Sequence, residues 1–359
     1  MKVALVYDRV NKFGGAERVL QVLHELFPDA PLFTGVYDKR HAAWADVFEA
    51  KSSFLNTIPF FRNHHEFIPF LMPFAFESFS FNEFDVVISV TSEAAKGIIT
   101  RPGTRHICYC LTPTRYLWSH YEEYFGNSFF RHITKPLVFL LRAWDSVAST
   151  RPDQYVAISK TVAKRIQTYY NRASGIIHPP IDTDFFVPGT QARKDFYLVV
   201  SRLVPYKRVD LAIEACARLN KKLIVVGVGS QEQYLRSRAG KSIEFAGFLT
   251  DSALRSYYQT CKALLFAQVE DFGLTPLEAQ SCGTPVVAYK SGGASETVVE
   301  PETGVFFEEQ SVDSVMNAII QFEKLSFEPH NCRRNAEKYS ISVFKEQFRK
   351  AVDASVIPA

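Results

Sequence analysis

Two glutamates eight positions apart, Glu270 and Glu278, stand in the stretch VEDFGLTPLEAQ, with Asp271 and Gly273 between them. Carboxylates accept hydrogen bonds from hydroxyls, so such a pair suits two hydroxyl-bearing parts of one ligand. A strand predicted over 263–266 feeds this loop, and a helix is predicted from near Pro276. Thr275, Pro276 and Glu278 also fit a purely local role as N-cap, first helical residue and partner in a capping box. That role leaves Glu270, Asp271 and Gly273 unexplained. The backbone N–H groups of Phe272, Gly273, Leu274 and Thr275 would face an anion. A second group lies in SRLVPYKRVD, where Arg202 follows a predicted strand and Lys207 and Arg208 are expected at the start of the next helix. Cations there oppose the helix dipole. They are either a solvated surface pair or, with an anionic ligand, a clamp in which Arg202 and Lys207 hold a diphosphate. Near the front, Gly14 and Gly15 follow the first strand in FGGAER. Glycine there allows close approach to a phosphate or sugar, and equally a plain tight turn.

The elements that must position these residues alternate along the chain. Residues 3–7 read as a strand and 16–26 as an amphipathic helix. Further strands are predicted over 85–90, 106–110, 155–159 and 175–178. The Pro-rich segment 178–195 reads as a linker. Strands then resume over 196–201, 222–226, 243–246, 263–266, 285–288 and 305–307, and 312–353 reads as helices. This alternation predicts an α/β protein with two parallel-sheet domains. Their bounds are 1–180 and 181–340, with a C-terminal helix, 341–359, returning to the first domain. Ligands of such sheets bind beyond the carboxyl ends of the strands, so the expected site is a cleft between the domains.

Composition agrees with this organisation. At roughly 150 residues per domain, 359 residues give two. Hydrophobic residues are 47% and charged residues 22%, which excludes disordered, collagen-like and coiled-coil chains. A net charge of +3 gives no field suited to nucleic acid. The six cysteines form no CxxC or Cys/His cluster, so they read as reduced thiols of a cytoplasmic protein, and no metal site is expected. Cys108 and Cys110, in a predicted strand, read as facing opposite sides. Apolar stretches are interrupted before about 18 residues, and no signal segment opens the chain. Aromatic content is 14%, and nine of the 31 phenylalanines fall in residues 54–81, interrupted by Arg62, His64 and His65. Residues 129–144 repeat the basic-plus-apolar mix. Both segments fit either core filling or a membrane interface. Gly227-Val228-Gly229 lacks a third glycine and does not support a dinucleotide site.

Taken in order and over essentially the whole chain, these motifs resemble the retaining GT-B glycosyltransferases of family 4. The Glu270…Glu278 pair, SRLVPYKRVD, GGAER and SGGASETV (residues 291–298) carry the resemblance. YCLTPTRYLWSHY (residues 109–121) and PPIDTDFF point to the branch with O-antigen mannosyltransferases. The resemblance implies two Rossmann-like domains facing each other across a cleft. It implies transfer of a hexose from a nucleotide sugar, GDP-mannose in this branch, to a lipid-linked or oligosaccharide acceptor, with no metal and no other cofactor. Arg202 and Lys207 would bind the donor diphosphate, Glu278 the ribose and Glu270 the sugar. Backbone amides around Phe272, Gly273 and Leu274 would support the sugar and Thr275 the phosphate, with Asp271 also on the donor side. Gly14 and Gly15 would approach the diphosphate from the first domain. Gly247 and Phe248 would lie where the base is read. Arg115, Tyr116 and Trp118 are acceptor-side candidates or a packed aromatic loop. Many members place a histidine where this chain has Leu111. A cytoplasmic location, peripheral on the inner membrane face, follows from lipid-linked acceptors. A GT-B epimerase or hydrolase and a non-catalytic carbohydrate-binding protein are the competing classes.

Overall fold

The computed structural model describes residues 1–119, 121–124 and 128–356. His120 of the 109–121 loop, and the side chains of residues 129–131 and 133, lie outside the described residues. The chain divides into two compact units, one of Met1–His178 with the residues from Phe344 onward, the other Pro179–Val343.

The first unit carries seven strands. They are β1 (Val3–Tyr7), β2 (Leu32–Thr34), β3 (Ala50–Ser52), β4 (Val86–Thr91), β5 (Arg105–Cys110), β6 (Gln154–Ala157) and β7 (Gly175–Ile176). They pair in parallel in the order β3-β2-β1-β4-β5-β6-β7. The second unit carries β8 (Tyr197–Val200), β9 (Leu223–Val226), β10 (Ile243–Gly247), β11 (Ala263–Phe266), β12 (Val286–Tyr289) and β13 (Gly304–Phe307). Their parallel order is β10-β9-β8-β11-β12-β13. Each order reverses beside its first strand, between β1 and β4 and between β8 and β11. Such switch points are where open α/β sheets form ligand crevices.

The strands are continuous apolar runs because helices cover both faces of a parallel sheet. VALVY of β1, LIVV of β9 and ALLF of β11 are buried throughout. The helix Gly15–Leu26 buries Val19, Leu20, Val22 and Leu23 at helical spacing. Strands β2 and β3 are absent from the sequence reading because three residues show no usable periodicity.

Three expectations are corrected. Cys108 and Cys110 are two apart on β5 and so share one face, as a period of two requires. Burial holds the Cys110 thiol well above its usual range, and its hydrogen bond with Cys108 adds to this. Residues 179–195 are no free linker. Phe186 is buried against Tyr258, and Arg193 Nη1 donates to the Cys261 carbonyl at 2.8 Å. The helix Val209–Arg218 starts later than expected: Lys207 closes a 3-10 turn, Pro205–Lys207, and Arg208 follows in the left-handed region with φ 50°. At the C-terminus, Phe344 and Phe348 of the helix Ile341–Val356 pack their rings on Tyr109 of β5.

A buried ion pair ties β4's following loop to the helix Ser128–Ala148. Lys96 and Asp145 are 2.5 Å apart and both almost inaccessible. Trp118 Nε1 and Tyr170 Oη also donate to Asp145, at 2.7 and 2.9 Å. Removing one member leaves an uncompensated buried charge, which costs about 3–5 kcal/mol. Lys96→Ala is therefore expected to lower the melting temperature sharply, and Lys96→Ala with Asp145→Ala to recover part of the loss. Calorimetric melting of the three proteins checks this; an unchanged Lys96→Ala transition would contradict it.

Candidate functional site

The second unit collects eleven of the sixteen singled-out residues along the carboxyl edge of its sheet. The edge is built strand by strand. After β10, Gly247 adopts φ 68° and its carbonyl accepts from Gly227 N at 2.8 Å. Gly227 follows β9 and lies so close to the end of β8 that a β-carbon on it would sit 1.8 Å from the Ser201 oxygen. Ser201 Oγ donates to Gln268 Oε1 at 2.7 Å, joining the ends of β8 and β11. Gln268 Nε2 donates to Glu270 Oε1 at 3.1 Å, and the same oxygen pairs with Lys207 Nζ. The row therefore runs without interruption from Gly247 to the Glu270–Lys207 ion pair.

Behind Glu270, the chain is held by backbone. Gly293 N donates to the Glu270 carbonyl at 2.9 Å. A β-carbon on Gly293 would lie 1.9 Å from the Phe272 oxygen, and one on Gly292, at φ 61°, would lie 2.3 Å from the Glu270 oxygen. The SGGASETV segment thus braces the 270–272 loop, with Asp271 and Phe272 buried. Gly273 then turns the chain at φ 88° and starts the helix Leu274–Ser281 with no side-chain cap. The expected capping box does not form: Gly273, not Thr275, is the N-cap. Glu278 is buried inside the helix and accepts from Tyr258 Oη at 2.9 Å. Burial, reinforced by Glu278, holds Tyr258 well above the usual tyrosine range, so it remains a donor.

Charge at this edge is uneven. Lys207 is buried and Glu270 half-buried, whereas Arg202 is exposed and donates to Tyr206 Oη at 2.5 Å. The Lys207 ammonium lies 5.1 Å from the Tyr206 ring centre. Leu274 and Thr275 are half-buried in the first helical turn, and Phe248 projects with 79% of its surface exposed. Cations beside an uncapped helix start suit an anion, and two carboxylates suit hydroxyls. The arrangement fits a ligand that carries both.

Residues 180–339 match the family model of the glycosyl transferases group 1. Two curated relatives agree with this. A GDP-mannose-dependent alpha-(1-6)-phosphatidylinositol monomannoside mannosyltransferase of Mycolicibacterium smegmatis is 28% identical over 46% of this chain and 52% of its own. The GDP-mannose-dependent monoacylated counterpart of Corynebacterium glutamicum is 32% identical over 48% and 53%. The match thus spans about half the length of these relatives. The fold is GT-B over the whole chain. The lipopolysaccharide outer core galactosyltransferase WaaB superposes with a TM-score of 0.70, covering 99% of both chains at 18% identity.

The remaining GT-B residues singled out belong to the first unit. Gly14 caps the helix Gly15–Leu26 in an extended conformation, and Glu17 in its first turn is buried on Tyr7 Oη. Trp118 is engaged by Asp145 and stacks on Tyr169 at 5.4 Å between ring centres. Tyr116 is held well above the usual tyrosine range by burial and then by Glu93. Arg115 is half-buried on the same loop. His106, on β5, bonds Ser89 at 2.7 Å, and burial lowers its pKa to about 3, as fits a packing residue.

Gln268 and Tyr258 were not found from sequence. Neither belongs to a motif, and each has a partner distant along the chain, Ser201 for Gln268 and Glu278 for Tyr258. A test of the bracing follows from Gly293. Gly293→Ala places a carbon on the Phe272 backbone, and overpacking of this kind costs typically about 1–3 kcal/mol. The variant is expected to melt earlier than wild type in calorimetry; equal melting would show that the two loops do not depend on their contact.

Proposed function

We propose that the protein is a retaining, metal-independent hexosyltransferase of family 4. In this reading it moves mannose from GDP-mannose onto a lipid-linked or oligosaccharide acceptor in surface polysaccharide synthesis, of the O-antigen or exopolysaccharide kind. It works in the cytoplasm, peripherally on the inner face of the cytoplasmic membrane. The observation that carries the reading is the continuous edge from Ser201 through Gln268 and Glu270 to Lys207, beside the uncapped helix at Gly273. The names of the two mannosyltransferase relatives support GDP-mannose as donor.

The chemistry follows from charge. As the bond from sugar to phosphate breaks, negative charge grows on the leaving diphosphate. Preorganised cations and backbone N–H groups stabilise that charge without reorganising. Lys207 is held in place by Glu270 and Arg202 by Tyr206. Retention is read as attack on the same face from which the nucleotide leaves, and no protein nucleophile is assigned. The donor phosphate takes the acceptor proton. Glu278 receives the ribose hydroxyls and Glu270 those of the sugar.

Two measurements test this. Lys207→Ala and Arg202→Ala are each expected to slow GDP release from saturating GDP-mannose on the order of 100-fold. Wild-type turnover in either would exclude the clamp. Titration calorimetry of GDP separates the glutamates. Glu278→Gln loses a charge-assisted bond worth about 1.5–3 kcal/mol and should bind GDP at least tenfold more weakly. Glu270→Gln should bind GDP no more weakly than wild type, yet turn over the full donor more slowly. An equal loss of GDP affinity in both would show that the assigned division of roles is wrong.

A further inference from the structure

We propose that the first unit docks on an anionic bilayer surface through the outward stripe of the helix Ser128–Ala148 and the exposed phenylalanines of residues 54–74. This deepens the peripheral placement proposed above and does not depend on which sugar is transferred.

The helix turns its apolar residues in two directions. Val138, Leu141, Asp145 and Ala148 are buried. Phe139, Leu140 and Val147 face outward, with 71%, 64% and 59% of their surfaces exposed. A surface helix ordinarily turns polar residues outward. Here Pro136, Phe139, Leu140, Ala143 and Val147 make an outward stripe, with Lys135 exposed one turn before Phe139. Between residues 132 and 148 the only acid is Asp145, already buried and paired with Lys96. The outward charge of this helix is therefore positive.

Residues 54–74 divide in the same way. Leu55, Ile68 and Met72 are anchored in the core, whereas Phe54, Phe60, Phe67 and Phe74 are each more than half exposed. Phe60 stacks on His64 at 4.4 Å and on Phe67 at 6.2 Å, so their rings form one exposed group. The two apolar sets flank one contact. Trp144 Nε1 donates to Glu77 at 2.8 Å, and Arg151 pairs with the same carboxylate. Phe74 precedes Glu77 by three positions, and Leu140 and Val147 lie one turn either side of Trp144.

In the 54–74 set exposed Glu66 offsets Arg62, so the basic neighbours are His132 and Lys135 of the helix. Apolar side chains beside them complement a bilayer, which offers hydrocarbon beneath anionic headgroups. A second copy of the chain fits less well, because a two-fold contact would bring the same basic helix against itself. Among the described residues no helix is long and apolar enough to cross a membrane, so the stripe lies on the surface and does not span it.

Co-sedimentation of the full chain with vesicles tests the proposal. Wild type is expected to partition onto vesicles of equal parts phosphatidylglycerol and phosphatidylcholine, and weakly onto phosphatidylcholine alone, with loss at high salt. Phe139→Ser with Leu140→Ser, and separately Phe67→Ser with Phe74→Ser, should each lower partitioning roughly tenfold or more. All are surface changes, and GDP titration of the same variants should match wild type, which separates docking from the donor site. Absence of wild-type partitioning would overturn the proposal, as would variants that bind vesicles as wild type does. So would a concentration-dependent dimer, seen by analytical ultracentrifugation and abolished by these substitutions, without vesicle binding.

Discussion

At Gly293 there is no room for a β-carbon, and the second unit depends on that fact. The Phe272 oxygen lies 1.9 Å from where the carbon would be. A backbone that close to another can be held only by backbone hydrogen bonds and by glycine. The consequence runs outward. Gly293 N fixes the Glu270 carbonyl, which fixes where the Glu270 carboxylate begins. The carboxylate fixes Lys207, and Gln268 ties both to Ser201 on the neighbouring strand. Gly227 does the same at the other side of β8, against Ser201 itself. The polar edge is rigid because its loops touch through main chain, and side-chain chemistry is laid over that contact.

This order of dependence bears on how the site meets a charged ligand. Lys207 is buried and already has a carboxylate partner. A buried cation without one would face a large desolvation cost. Glu270 thus holds the Lys207 side chain in place before any ligand arrives, which is preorganisation. A diphosphate brought to Lys207 then meets a cation whose charge is partly satisfied. Exposed Arg202, leaning on Tyr206, supplies the charge not already spoken for by a carboxylate. One buried cation and one exposed cation, each held by a neighbour, would suit a group that gains negative charge.

Much of this was legible in the sequence, for reasons that can be named. β1, β9 and β11 are apolar runs buried on both faces, and such runs stand out against amphipathic helices. The Glu270…Glu278 spacing and the Gly292-Gly293 pair were visible because the residues sit close in the chain. The sequence left Thr275 open between a cap and a phosphate contact because S/T-x-x-E is a local pattern, while the helix start is decided by Gly273 at φ 88°. Glu278 instead meets Tyr258, twenty positions away on another helix, which no local pattern encodes. Gly227 failed as part of a dinucleotide motif and was set aside, yet it is needed to let two strand ends touch. The 54–81 segment could not be assigned to core or surface because it supplies both. Its short turns send alternate phenylalanines in opposite directions with no fixed period.

The two sheets share one strand order but use their switch points differently. In the first unit Asp8, at the end of β1, is wholly buried and accepts from Thr91 Oγ1, Ser92 N, Glu93 N and Ala95 N at 2.7–3.1 Å. Burial and then the Glu93 charge raise its pKa above the ordinary carboxylate value, and Arg9 with the Ala95 and Ser92 amides opposes that rise only in part. Arg9 is likewise closed on Glu93. Most polar groups at this switch point are spent on one another, with the buried Arg9 Nε left without a partner, so the crossing from β1 to β4 is closed. In the second unit Ser201 Oγ bonds Gln268 across the corresponding crossing, from β8 to β11, and the cations stand at its rim. One topology therefore yields a structural clasp in one unit and a partly exposed polar edge in the other. What separates them is exposure: Asp8 is wholly buried under its donors, whereas Glu270 is half-buried and Arg202 stands exposed beside the glycine-braced loop.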